Sequence, residues 1–237
     1  MDKKPRGPVG WVLLHDLGYT PASLSFLEAA LADLGCRVVI PALPGEGALP
    51  DAWRGVTASD MVRPVRDATL GLFSEAEEVC LFGHGMGALL AMQMAEELPV
   101  KGLILAAPTL RLPDRLALAS SLVARFQPYQ SHGDARDDLP EGAREKGLPT
   151  AGFTVIRDLA RRVLSDRDAV TCPVRMLVPG QDQWSDPKAA LDLAEALPHA
   201  KAIVLPEGRH QCLTGEGGAQ LLELARRMSE FAGKERA

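Results

Sequence analysis

The run Leu81-Phe82-Gly83-His84-Gly85-Met86-Gly87 constrains this chain more than any other segment. Apolar, strand-like residues from Glu78 to Phe82 lead into it, and helix-forming residues from Met86 to Leu98 leave it. Three alternate glycines at that junction call for a tight turn in which strand and helix backbones nearly touch. The surrounding pattern repeats the same unit. Strands are predicted at Gly10–His15, Cys36–Ile40, Glu78–Phe82, Val100–Ala106, Val174–Val178 and Ala202–Leu205. Helices are predicted at Pro21–Leu34, Ser59–Phe73, Met86–Leu98, Pro187–Leu197 and Gly218–Phe231. Such alternation implies an α/β fold with a mostly parallel sheet covered by helices on both faces. The alternation breaks between Pro108 and Arg167, where helical pieces surround a polar stretch, Ser131–Thr150. That segment is expected to be a helical cap inserted into one domain spanning 1–237, not a domain of its own.

The whole-chain properties exclude several classes. A net charge of -5 offers no electrostatic reason for a nucleic-acid or anionic-membrane partner. No apolar run approaches the roughly 18 residues of a membrane span. The basic start, Met1 to Pro8, leads into a strand instead of the apolar core of a signal peptide. Cys36, Cys80, Cys172 and Cys212 form no CxxC pair, so reduced thiols and a cytoplasmic location are expected.

The strand–turn–helix context of Gly83 to Gly87 is that of a nucleophile elbow, G-x-S-x-G, with Gly85 where the serine would be. Glycine keeps the strained turn and removes the hydroxyl. A phosphate-binding glycine turn fits less well, because the spacing is not G-x-G-x-x-G. Asp182 and His210 each follow a predicted strand, where the reactive groups of open α/β sheets gather. Their order after the elbow is that of an acid and a base serving a nucleophile. Asp186 competes with Asp182, but it stands beside Pro187 at a helix start and reads as a cap. The segment from Leu13 to Pro21 contains His15-Asp16-Leu17-Gly18 after the first strong strand. Asp16 there is either a turn residue capping the following helix or a carboxylate repelling charge near an oxyanion site.

These motifs resemble the bacterial carboxylesterase and monoacylglycerol-lipase branch of the α/β-hydrolase superfamily, over nearly the whole chain. The resemblance implies an oxyanion hole from the N–H groups of Leu17 and Met86, and an Asp182–His210 pair without metal or cofactor. It implies a small apolar ester or acyl ligand and leaves assembly open. Departures from the family pattern are Gly85, Asp16 for a glycine, and Glu46 for the histidine of Pro-Gly-His-Gly in the Pro44-Gly45-Glu46-Gly47 stretch. His84 is expected to be structural, and His132 and His199 to lie on the surface. Trp184, Phe126 and Trp53 are candidates to line an acyl pocket, against the alternative of plain core packing.

Three readings stay open at this level. One is an esterase deprived of its serine by design, one a natural binding scaffold, and one a chemistry in which His210 activates water or a substrate proton. All three depend on what faces Gly85. If only the hydroxyl is missing, a serine at position 85 is expected to lie within hydrogen-bond reach of His210.

Overall fold

A computed structural model describes residues 9–46, 50–117, 121–131 and 139–234. Its centre is a six-stranded sheet built from β1 (Val9–Leu14), β2 (Arg37–Val39), β3 (Glu78–His84), β4 (Gly102–Ala106), β7 (Val174–Pro179) and β8 (Ala200–Leu205). Their order is β2-β1-β3-β4-β7-β8, and each adjacent pair is parallel. Every strand tip carrying a candidate site residue therefore points the same way.

The strand residues are apolar on both sides because both sides are covered. Val12, Leu14, Val79 and Leu81 face the core under α2 (Ala58–Glu75) and α3 (Met86–Glu97). Trp11, Leu13, Cys80 and Phe82 face the opposite core, with Leu27 and Leu31 of α1 (Ser25–Asp33) and Leu221 and Ala225 of α8 (Gly215–Lys234). The indole N–H of Trp11, deep in that second layer, donates to Ser229 Oγ at 3.0 Å. Helix α2 starts with a capping box. Thr57 Oγ1 accepts from Asp60 N at 3.2 Å, and Asp60 Oδ2 accepts from Thr57 N at 3.0 Å. Helix α7 (Pro187–Ala196) starts at Asp186, whose side chain accepts from Lys188 N at 3.0 Å. The four cysteines are unpaired. No helix among the described residues is long and apolar enough to cross a membrane.

The segment after β4 holds α4 (Asp114–Ala117), α5 (Ser121–Phe126) and α6 (Gly152–Asp166). No strand is expected there from sequence, yet β5 (Tyr129–Gln130) and β6 (Leu148–Pro149) pair antiparallel. Strands of two residues are too short to show an alternating pattern. His132 and most of the first half of the polar stretch lie outside the described residues. Helix α6 buries Phe153, Val155, Ile156, Leu159, Ala160 and Val163 along one stripe, and that stripe rests on α3 and α2.

The β3–α3 junction is as close as its glycines imply. A Cβ on Gly87 would lie 2.2 Å from the Leu14 carbonyl oxygen, and one on Gly83 would lie 2.2 Å from the Gly87 oxygen. These obstacles are backbone and cannot rotate away. Gly87→Ala is therefore expected to destabilise the protein by about 3 kcal/mol, as a backbone-displacing core change does. Urea unfolding would show a lower midpoint with an unchanged slope. An unaltered midpoint would contradict the close approach.

Candidate functional site

Four loops converge at the carboxyl ends of β1, β3, β7 and β8. Gly85 forms the β3–α3 turn with φ 56° and ψ -114°, a backbone state that favours glycine. It offers no side-chain cap to α3. Asp16, on the loop after β1, supplies that cap. Its Oδ1 accepts from Met86 N, the first N–H of α3, at 2.6 Å. The positive end of the helix favours a carboxylate there. The other oxygen, Oδ2, accepts from His210 Nε2 at 2.9 Å. The His210 Nδ1–H donates to Asp182 Oδ2 at 2.8 Å. Asp182 is fixed in turn by Trp184 N at 2.8 Å and Ser185 N at 2.9 Å, both on its Oδ1. The result is a linear chain, Asp16–His210–Asp182, almost wholly out of solvent.

The sequence expectation for Asp16 needs correction. It neither caps the helix that follows it nor simply stands near an oxyanion site. It reaches across to the start of α3 and to His210. The space it fills is the space a side chain at position 85 would need. A Cβ built on Gly85 would lie 2.0 Å from Asp16 Oδ1 and 2.1 Å from Asp16 Cγ. A serine added at position 85 alone therefore collides with Asp16, contrary to the expectation of simple reach to His210.

Burial opposes charge on every group here, so the partners decide the protonation. For Asp16, burial raises the pKa, but the hydrogen bond and charge of His210 outweigh it and hold the carboxyl near about 2. For His210, burial lowers the pKa, but Asp182 and Asp16 outweigh it and lift the ring to about 10. His210 has two carboxylate partners and Asp16 one imidazolium, so the larger displacement falls on the histidine. His84 lacks a carboxylate hydrogen bond, and burial takes it down to about 4. Its Nε2–H donates to the His210 carbonyl at 2.9 Å.

A second buried pair steadies the Asp16 loop. His15 Nδ1–H donates to the Asp16 carbonyl at 3.0 Å, and His15 Nε2 lies 2.8 Å from Glu46 Oε1. Glu46 Oε2 accepts from Leu43 N at 2.9 Å. Burial lowers the His15 pKa and Glu46 more than compensates, so the net shift is upward. Glu46 thus has two partners, His15 and the Leu43 N–H.

The cavity beside Asp16 and His210 is small, about 20 Å³, room for roughly one water. Leu17, Leu112, Phe153, Ile156 and Trp184 line it. Trp184 stacks on Phe153 with ring centroids 6.5 Å apart. Phe126 does not join them. It projects from α5 into solvent at 84% exposure and lines neither this cavity nor the larger groove, so its place as a pocket residue is withdrawn. The larger groove, about 700 Å³, runs between the start of α2, α5 and α6, with Trp53 and Val155 in its walls.

The family model described as "Alpha/beta hydrolase family" matches residues 11–224. The chain belongs to the α/β-hydrolase family. It is 27% identical over 187 residues to a thermostable monoacylglycerol lipase of Bacillus sp. (strain H-257), covering 76% of this chain and 73% of that protein. Among solved structures, one from work on the metagenome-derived lipolytic enzymes LipS and LipT superposes with a TM-score of 0.82 at 21% identity, over 95% of both chains. The monoacylglycerol lipase of Paleococcus ferrophilus superposes with a TM-score of 0.71 at 17% identity, over 95% of this chain and 96% of its own. The six-stranded parallel sheet flanked by helices is that fold.

The ion pairs set a pH signature. The His210 contribution is complete below its ordinary value of 6.5 and is lost as pH rises through about 10. The Asp16 contribution is present above 3.8 and is lost as pH falls through about 2. The stability difference between the native protein and Asp16→Asn should therefore be widest from pH 4 to 6.5 and narrow steadily toward pH 10. Urea titrations across that range would read it. A gap that widens with rising pH would mean His210 is not held as an imidazolium.

Proposed function

We propose that this protein is an esterase-type α/β-hydrolase whose β3–α3 turn is a nucleophile elbow without a nucleophile, and that it binds acyl or ester ligands without serine catalysis. One observation carries the reading: the Asp16 carboxylate occupies the volume that a residue-85 side chain would fill, while engaging both His210 and the Met86 N–H.

Each part of a serine-esterase cycle is compromised by that carboxylate. Acyl transfer needs a hydroxyl, a base with a free lone pair to take its proton, and N–H donors open to the developing oxyanion. Gly85 has no hydroxyl. The His210 Nε2 is already hydrogen-bonded to Asp16, and a ring held as an imidazolium is no base. The Met86 N–H, one of the two oxyanion donors implied by the family resemblance, is taken by Asp16 Oδ1. The Leu17 side chain lines the adjoining cavity. A chain deprived of serine by design would differ from an active one only at position 85. Here a second residue, Asp16, fits the vacancy, which favours the natural binding scaffold over the designed one. The same imidazolium argues against His210 as a direct activator of water.

The ligand class follows from the relatives, which are named as monoacylglycerol lipase and lipolytic enzymes. A cavity of about 20 Å³ cannot take an acyl chain, whereas a groove of about 700 Å³ is within the usual range for small ligands. Trp53, Val56, Ala124, Pro149 and Val155 give that groove an apolar wall, with Arg54 and Asp158 at its polar side. We place the acyl ligand there.

A p-nitrophenyl ester panel tests the reading. The native chain should show no hydrolysis above background, and Gly85→Ser alone should remain inactive and lose stability. The double variant Asp16→Gly/Gly85→Ser, which clears the space, should gain activity by several orders of magnitude, since the residual rate without a triad nucleophile is only about 10³–10⁴ over water. Octanoate should quench tryptophan fluorescence of the native chain, and Ala124→Trp should weaken that binding at least tenfold by filling the groove. Native ester hydrolysis that vanishes in His210→Ala would overturn the proposal.

A further inference from the structure

The geometry points to a divalent metal site of zinc type formed by Asp16, His84 and His210. This goes beyond the binding role proposed above and beyond the expectation from family resemblance, which includes no metal. Each of the three buried residues offers one ligand atom, and those atoms all lie within 4.8 Å of one another.

The hydrogen bonds around the two histidines assign which nitrogens are available. A carbonyl oxygen can only accept, so His84 Nε2 carries the hydrogen it donates to the His210 carbonyl. In the neutral ring His84 Nδ1 is then a bare lone pair. That atom is buried and has no hydrogen-bond partner among the described residues. Its whole residue is 0% exposed, so bulk solvent does not reach it. A buried acceptor left without a partner normally costs about 1–3 kcal/mol. For His210, Nδ1–H is committed to Asp182, and Nε2, which donates its hydrogen to Asp16 in the metal-free protein, becomes a ligand once that proton leaves for solvent. Each ring thus anchors one N–H on an oxygen acceptor and leaves its other nitrogen as the candidate ligand. That is how metal-ligating histidines are oriented: a carboxylate or carbonyl behind the ring fixes the tautomer and the angle.

The third ligand and the open position complete the set. Asp16 brings a carboxylate already held by the Met86 N–H, so its position does not depend on the metal. Two histidines and a carboxylate leave one position of a tetrahedral zinc site for water. Asp16 and His210 line the cavity with room for roughly one water. Ligand–ligand spacings in a tetrahedral site are about 3.3–3.5 Å for bonds of 2.0–2.1 Å. The Asp16–His210 contact at 2.9 Å would open and the wider spacings, up to 4.8 Å, would close, with the ion replacing the shared proton, which leaves to solvent. Two carboxylates flank the one ring of His210, and a divalent cation offsets their excess negative charge.

Zinc sulfate titrated into the chelator-treated full chain tests the proposal by calorimetry. One equivalent should bind with a dissociation constant of about 1 μM or below. Asp16→Asn, nearly isosteric, and His84→Ala should each weaken binding at least 100-fold. Asp182→Asn should weaken it 10–100-fold through loss of ring orientation. Circular dichroism checks that each variant is folded, and the cobalt-loaded native protein needs no variant at all. Its visible d–d bands should be those of a four- or five-coordinate nitrogen and oxygen site. A sulfur-to-cobalt charge-transfer band would assign the ion to a cysteine and overturn the ligand set. Absence of binding below 100 μM, or binding unaffected by Asp16→Asn and His84→Ala, would overturn the site itself. The ester panel on chelator-treated protein is read separately, so either idea can fail alone.

Discussion

The carboxylate of Asp16 is the pivot of this molecule. It is charged, it is buried, and it bridges the loop after β1, the start of α3 and the loop after β8. A buried charge is tolerated only when its partners are well placed, and removing one partner of such a pair typically costs 3–5 kcal/mol. Here the partners are a helix N-terminus and an imidazolium that is itself braced by Asp182. The absence of a side chain at Gly85 is the steric condition for all of this, because a Cβ would stand inside the carboxylate. Position 16 and position 85 are therefore one structural feature.

The same constraint explains the His15 and Glu46 charges behind the Asp16 loop. Asp16 can reach α3 only if its own backbone is held. The His15–Glu46 pair does this by gripping the Asp16 carbonyl on one side and the Leu43 N–H on the other. Gly45, next to Glu46, has φ 89° and lies against Trp53, whose ring would be 2.8 Å from a Cβ there. So the loop after β2, one wall of the larger groove and the pivot carboxylate are mechanically linked.

The architecture was legible because parallel strands and their helices carry different apolar periods, and both are long enough here to read. The strand positions and the five flanking helices follow from that pattern with shifts of only a few residues at their ends. Gly83 and Gly87 were legible as close-approach positions because alternate glycines at a strand–helix junction are a local pattern, even though Gly87 meets the distant Leu14 carbonyl, and Asp186 was legible as a cap because that role is local. Asp16 was not, because its partners are distant in sequence: Met86 lies 70 residues away and His210 lies 194 away. The only trace was negative, a missing side chain at one position and an unneeded charge at another. Glu46 hid its partner for the same reason. Phe126 was misread because an aromatic residue in a short helix carries no local sign of which face is turned inward. The β5–β6 pair was too brief to announce itself.

The size of the cavity beside His210 decides which guests it admits. Leu112, Phe153, Ile156 and Trp184 leave the buried end of the site no wider than a single water. Thr109, Leu112 and Ile156 also border a separate outer groove along α6, so these three side chains serve both spaces at once. A guest larger than water reaches the His210 end only in molecules where some of these side chains have moved. Its apparent affinity is reduced by the fraction of molecules in that arrangement, and a change at any of the three would be felt on both sides of them.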